Sequence, residues 1–340
     1  MRINTIKDVA KKAGVSIATV SRVVNKNYYV SPGIEQKVRD AIEATGYYPD
    51  SIARSLKSKA TQTIAFIVSD ISNIHFMFMA RAIEDVVSRK TYNIIACSTE
   101  DDKNRELAYL ETLISKKIDG LIINTTGKNN GFISAISQHL PVVAVNRRIR
   151  DPGYRGDFVD THNVKGAYDL TRHVIEFGHR RIAVINGPQE LSTGVERFQG
   201  FKKALVESGV ELPVEYVFEG DFRDRSGFEG SKTLMRLTNR PTAIIAMNNN
   251  MAIGALKFLR PSGVRIPQDV SLAAYGNIEN IELMYVQPTH VTQDPYMIGT
   301  RAGEMIIERI ITRSLLPREV ILEPHLVTGS SVQEPAGNSS

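Results

Sequence analysis

The sequence predicts two fold classes in one chain: an all-α helix-turn-helix head with a short linker, followed by a two-lobed α/β core with parallel sheets. Three observations carry this. Apolar residues fall at helical spacing in three short segments over residues 1–48, punctuated by Gly and Ser-Pro signals. From residue 63 onward, continuous apolar runs rich in β-branched residues alternate with amphipathic stretches. Charge divides the same way: residues 1–60 hold 11 Lys and Arg against 5 Asp and Glu, a net +6, whereas the remaining 280 residues sum to −1. A basic head on a neutral body points to a polyanion as the head's partner.

Each head helix has its own start and stop signals. Thr5-Ile6-Lys7-Asp8 is a capping-box pattern, with Thr5 as N-cap and Asp8 reaching back. The helix it opens runs to about Ala13, and Gly14 ends it because glycine suits a left-handed helix end. Ser16 caps a second helix through about Val24, with Val20, Val23 and Val24 facing inward. Ser31-Pro32 opens a third, whose apolar stripe is Ile34, Val38, Ala41 and Ile42 and which Gly46 ends. Residues 49–62 are small, polar and basic, with Ile52, Ala53 and Leu56 at helical spacing. A lone helix this short is marginal in water, so it should become helical only when docked.

The core strands are read over 64–69, 93–98, 120–125, 142–147, 181–186, 243–248 and 270–276. Continuous apolar strands alternating with helices mean parallel sheets covered on both faces. About ten strands in some 270 residues suit two lobes over 63–330 with a ligand between strand C-termini. The last residues, 331–340, read as a disordered tail.

Composition narrows the function class. One Cys in 340 residues excludes a disulfide framework or a Cys-based metal cluster, and Cys97 reads as core at the end of a buried strand. No metal and no cofactor are expected. No run approaches the ~20 apolar residues of a membrane span, and no signal-like stretch opens the chain, so a cytoplasmic protein is expected. Dinucleotide-binding, Walker, nucleophile-elbow and zinc-protease motifs are all missing, which argues against an enzyme.

A helix, a Gly turn and the helix opening Ser16-Ile17-Ala18-Thr19-Val20-Ser21-Arg22 would lay the N-terminal residues of the second helix in a major groove. Thr19 and Ser21 can bond phosphates or bases, Arg22 can pair with guanine in bidentate fashion, and Ile17 and Ala18 suit thymine methyls.

Residues 5–25 (TIKDVAKKAGVSIATVSRVVN) with GYYPDSIARSL (46–56) resemble the head of the LacI/GalR family of bacterial transcription regulators. The resemblance continues through SDISNIHF (69–76), DGLIINT (119–125), PVVAVNRR (141–148), FGHRRIAVINGP (177–188), ERFQGF (196–201), AIIAMNNNMAIGAL (243–256) and VRIPQDVSLAAYG (264–276). It implies a periplasmic-binding-protein-like core, a homodimer, double-stranded operator DNA as partner and control by a small-molecule effector. It adds Thr5, Ser16 and Asn25 to the DNA-contacting residues. It also makes residues 52–57 a hinge helix, with Ala53 beside its partner hinge and Leu56 wedged between base steps of the minor groove.

The same resemblance places effector contacts at Asn73, His75 and Phe76, at Arg147, at Arg197, and near His162 and Asn249. This chain departs from the family where acids usually clamp sugar hydroxyls: Asn146, His162, Asn249 and Gly276 stand at or near those positions. With Arg147 and Arg197 kept, the expectation is an anionic effector, a sugar acid above a sugar phosphate, with a neutral sugar or nucleobase as the alternative. A transporter's solute-binding protein would share the core but not the basic head.

Overall fold

The computed structural model describes residues 5–25, 28–47, 60–312 and 316–336. The chain divides into two compact units, residues 1–61 and 62–340. Ala53, Leu56 and the expected hinge helix lie outside the described residues.

Among its described residues the first unit contains three helices: α1 (Ile6–Ala13), α2 (Ile17–Asn25) and α3 (Pro32–Thr45). The Asp8 carboxylate accepts the Thr5 N–H and hydroxyl, both at 2.8 Å, closing the start of α1. Gly14 takes φ +67 and returns its N–H to the Ala10 carbonyl, making the tight turn into α2. Val9, Ala10, Val20, Val23, Val38 and Ala41 form the buried core. Ile34 departs from the expected stripe: it sits in the first turn of α3 and is exposed, while Val38 and Ala41 carry the packing.

The second unit holds two six-stranded sheets. The first has the order β11-β5-β4-β3-β1-β2, built from β1 (Thr63–Val68), β2 (Asn93–Ser98), β3 (Gly120–Ile123), β4 (Val142–Val145), β5 (Asp157–Thr161) and β11 (Glu319–Leu322). The second has the order β12-β10-β9-β8-β6-β7, from β6 (Ile182–Asn186), β7 (Val217–Glu219), β8 (Ala243–Ala246), β9 (Ser271–Tyr275), β10 (Thr289–Thr292) and β12 (His325–Val327). All pairings are parallel except β10 with β12. Central strands β1, β3, β4, β6, β8 and β9 are buried nearly throughout, which is why they read as unbroken apolar runs.

Helices cover the sheets. In the first lobe these are α4 (Ile74–Val87), α5 (Lys103–Ser115), α6 (Asn130–Ile136) and α11 (Pro295–Ile311). In the second they are α7 (Asn163–Glu176), α8 (Ser192–Glu207), α9 (Asp224–Leu234) and α10 (Asn249–Leu259). The chain passes between lobes three times: from β5 to α7, from β10 to α11, and from β11 to β12. The α11 return is pinned by a buried ion cluster. Asp157 accepts from Arg309 and from Arg318 Nη2 (2.9 Å), tying β5 to α11 and the approach to β11.

Two expectations need correction. Strand 93–98 is not buried on both faces. It is the sheet edge, with Ile95 40% exposed and Cys97 only half-buried. The apolar run looks central because composition does not encode strand order. Residues 331–336 are not a loose tail: Ser331 and Val332 are buried. The Ser331 carbonyl accepts from Leu272 N–H, its hydroxyl from Thr289 N–H (2.8 Å), and the Gln333 carbonyl lies 2.8 Å from His179 Nε2. Short hydroxylic residues read as loop in sequence, yet they suit backbone pairing along a strand.

Candidate functional site

In the head, residues 17, 18, 21 and 22 share one face of α2. Ile17 (45% exposed), Ala18 and Arg22 are exposed and Ser21 is half-buried, while Val20 and Val23 turn inward. Ser16 and Thr19 are engaged with each other. The Ser16 Oγ accepts the Thr19 N–H at 3.1 Å and lies 2.9 Å from the Thr19 hydroxyl, capping α2. Thr5 likewise closes α1, and Asn25 is the last residue of α2. The outward face therefore offers an apolar N-terminal edge and one cation a turn later.

The core cleft, about 670 Å³, lies between the C-terminal ends of the strands of both lobes. From the first lobe, Asn73, His75, Phe76 and Arg147 line it as expected, and Asn249 and Arg197 do so from the second. His162 does not. It is exposed and caps α7, its Nδ1 lying 3.4 Å from the Lys165 N–H. Its neighbours turn inward instead: Asp160 accepts the Thr161 N–H (2.7 Å) and Asn163 Nδ2 (2.8 Å). The helix start explains this, since His162 is the N-cap of α7 and its side chain folds back over the first turn.

Arg197 is the buried centre of the second-lobe wall. Its Nε donates to Asn163 Oδ1 (2.9 Å), its Nη1 to the Met247 carbonyl (2.7 Å), and its guanidinium lies 4.0 Å over the Tyr275 ring. Burial lifts the neighbouring Asp160 to about 8 against the pull of Arg197. Arg147 is also spoken for: it pairs with Asp101 and donates to the Thr125 carbonyl at 3.1 Å. That carbonyl belongs to a loop shaped by the buried Glu106, which accepts from Thr126 N–H (2.7 Å), Thr126 Oγ1 (2.8 Å) and Asn129 Nδ2 (2.9 Å).

The cleft is not poor in acids. Asp70, Glu100, Asp101, Asp221 and Asp224 line it, against Arg147, Arg197, Arg223 and Lys257. Asp70 stands in the SDISNIHF motif, whereas the other four come from the loops after β2 and β7 and from the start of α9, where no quoted motif announces them. The departures noted in sequence have structural counterparts. Asn249 and Asn73 exchange amide hydrogen bonds across the mouth (3.1 and 3.4 Å), a pairing that needs a donor on both sides and that aspartate could not complete. Gly276 takes φ +98, outside the range that suits a side chain. Asn146 Nδ2 lies 2.7 Å from His75 Nε2.

Burial, then the charge of Arg197, lowers His75 from 6.5 to about 4. Between those values the unfolded chain binds the extra proton. Stability from this group is complete above pH 6.5 and is lost as pH falls toward 4. Asp160, lifted to about 8, works in the opposite sense over the same range, so the His75 contribution is read by difference: between pH 7 and 4.5 the urea midpoint of His75→Gln is expected to change less unfavourably than that of the wild type. An unchanged pH dependence in the variant would contradict this origin.

Of the cleft residues with unpartnered buried atoms, sequence reasoning singled out only Asn146. Asn124 Oδ1, Asn146 Oδ1, Thr193 Oγ1, Tyr275 Oη and Gln293 Nε2 are buried without partners, and all five residues line the cleft. Phe222 joins them. It holds φ +66, Asn248 Nδ2 donates to its carbonyl at 2.7 Å, and its ring lies where a side chain on Gly187 would stand. Positive φ at a bulky residue in a cleft marks strain kept for a purpose.

A family profile described as the periplasmic binding proteins and sugar binding domain of the LacI family matches residues 61–327. A second, bacterial regulatory proteins of the lacI family, matches residues 5–50. The chain belongs to the LacI family. It is 33% identical over 333 residues to the HTH-type transcriptional repressor PurR of Mannheimia succiniciproducens, covering 97% of this chain and 99% of that one. To PurR of Proteus mirabilis it is 34% identical over 336 residues, covering 97% of both. Among solved structures, a transcriptional regulator CelR–cellobiose complex aligns with TM-score 0.70 at 28% identity, over 96% of this chain and 99% of that one. The lac repressor dimer bound to operator and the anti-inducer ONPF aligns with TM-score 0.84 at 24% identity, over 98% and 100%, a likeness of fold. LacI-family proteins bind operator DNA, dimerise and take small-molecule effectors, and this chain is a DNA-binding transcription regulator of that kind. Among the described residues no helix is long and apolar enough to cross a membrane, and no His, Cys, Asp and Glu cluster could hold a metal ion.

Proposed function

We propose that the protein is a cytoplasmic, homodimeric repressor whose core cleft takes an uncharged effector bearing both donors and acceptors on a flat ring, of the nucleobase class. One observation carries the effector reading: the two arginines expected to meet a carboxylate are already engaged, while five residues that line the cleft hold buried polar atoms without partners. An anion would have to displace Asp101 from Arg147 in a cleft whose acids outnumber its bases. A neutral ligand would supply donors to Asn124 and Asn146, an acceptor to Gln293, and either to Thr193. Each unmade buried bond costs about 1–3 kcal/mol, so completing them is a substantial driving force. The half-buried Phe222 ring supplies a face for a planar ligand.

The repressor reading rests on the head's outward face of α2 and on near full-length similarity to proteins named transcriptional repressors. The homodimer is supported by exposed apolar side chains on adjacent elements of the first lobe, Met77 and Phe78 on α4 and Ile95 on the open edge strand β2.

Isothermal titration of the purified protein against free nucleobases, neutral sugars and sugar acids tests the effector class. Binding confined to nucleobases is expected, with Phe222→Ala weakening it at least tenfold. Heat released only by sugar acids would overturn the reading and restore the arginine-centred alternative.

A further inference from the structure

Among its described residues the head carries two large rings outside its core. Tyr28 is 74% and Tyr29 is 89% exposed, whereas Tyr47 is the tyrosine that packs against the buried valines. Neither exposed ring gains from burial. Tyr28 instead meets the one cation of the outward α2 face: Arg22 Cζ lies 5.7 Å from the Tyr28 ring centroid, within the range of a cation–π contact.

That contact bears on how an arginine finds a base. A free arginine samples many rotamers and must give them up on binding. Phosphates flanking the groove compete with base edges for the same charge. Stacking uses the face of the guanidinium. Its N–H donors lie in the plane and remain available for a bidentate pair. A ring against Arg22 therefore restricts its aim without consuming the groups that read sequence.

We propose that Tyr28 is a positioning residue for Arg22, holding the guanidinium so that its donor edge meets a base in preference to a phosphate. This rests on the reading of Arg22 as a base contact. It assigns Tyr28 a part in sequence discrimination in addition to any contact of its own with the backbone of DNA.

The test uses the full-length protein and a duplex it selects from a randomised palindromic pool. Affinity is measured for that duplex, for versions changed at each half-site position, and for mixed-sequence DNA. Tyr28→Leu is expected to weaken the selected duplex roughly two- to fivefold, to leave mixed-sequence binding unchanged, and to flatten preference at the position that Arg22→Ala flattens. Tyr28→Phe, which keeps the ring, is expected to behave as wild type. In an Arg22→Ala background, Tyr28→Leu is expected to have no further effect. An equal loss in both backgrounds, or flattening at a different position, would overturn the proposal. If Arg22→Ala itself leaves every base preference intact, the base-contact reading fails and the positioning role with it.

Discussion

Arg197→Met is expected to destabilise the core by about 2–5 kcal/mol, because it strands two buried acceptors at about 1–3 kcal/mol each. The substitution keeps much of the side chain's volume, so the effect is one of charge and hydrogen bonding more than of a cavity. Asn163 Oδ1 and the Met247 carbonyl lose their donors, and the Tyr275 ring loses the guanidinium above it. Asp160 loses the cation that opposes its burial, so its carboxyl rises further above the ordinary carboxylate range. Effector binding is expected to be lost as well, since Arg197 braces the wall that carries Thr193 and Tyr275. Urea unfolding reads the first effect and titration calorimetry the second. At pH 9, where Asp160 is ionised beside Arg197, the double variant with Asp160→Asn is expected to recover part of the stability, because it removes the carboxyl that the arginine had compensated. Strictly additive losses would show that the two do not form one network.

Arg22→Ala is expected to weaken binding to the selected operator by about 1–3 kcal/mol, the range of one bidentate base contact. Binding to mixed-sequence DNA should change little, because phosphate contacts carry it. Arg22 is exposed on the outward face of α2 and two positions from the inward Val20, so its loss leaves the head core intact. The slope of affinity against salt should stay near its wild-type value, because the slope counts phosphate contacts. A uniform loss on all sequences would assign Arg22 to the backbone of DNA and not to a base.

The two substitutions probe opposite ends of what the sequence declares. The head was legible almost residue by residue, because its signals are local. Thr5 with Asp8, Gly14, Ser16 and Pro32 act within one helical turn of where they stand, and each opens or closes the helix it predicts. The cleft was legible only in part. Asn73, His75, Phe76, Arg147, Arg197 and Asn249 come together as their motifs suggest, but His162 turns out to solvent. The charge of the cleft was misjudged for the same kind of reason. Counting missing acids at motif positions overlooks Asp101, which reaches Arg147 from the loop after β2, 46 residues earlier.

By itself the sequence determined the helix-turn-helix, the alternation that makes two parallel sheets, and the family. These follow from periodicity and short-range capping, which a linear chain records directly. Tertiary structure alone decided which strand lies at an edge, which cations are already paired, and which buried polar atoms still lack a partner. Those properties depend on contacts between residues far apart in the chain, such as Asn73 with Asn249 and Arg309 with Asp157. Composition holds no trace of such distances, so which polar groups the cleft presents is decided only on folding.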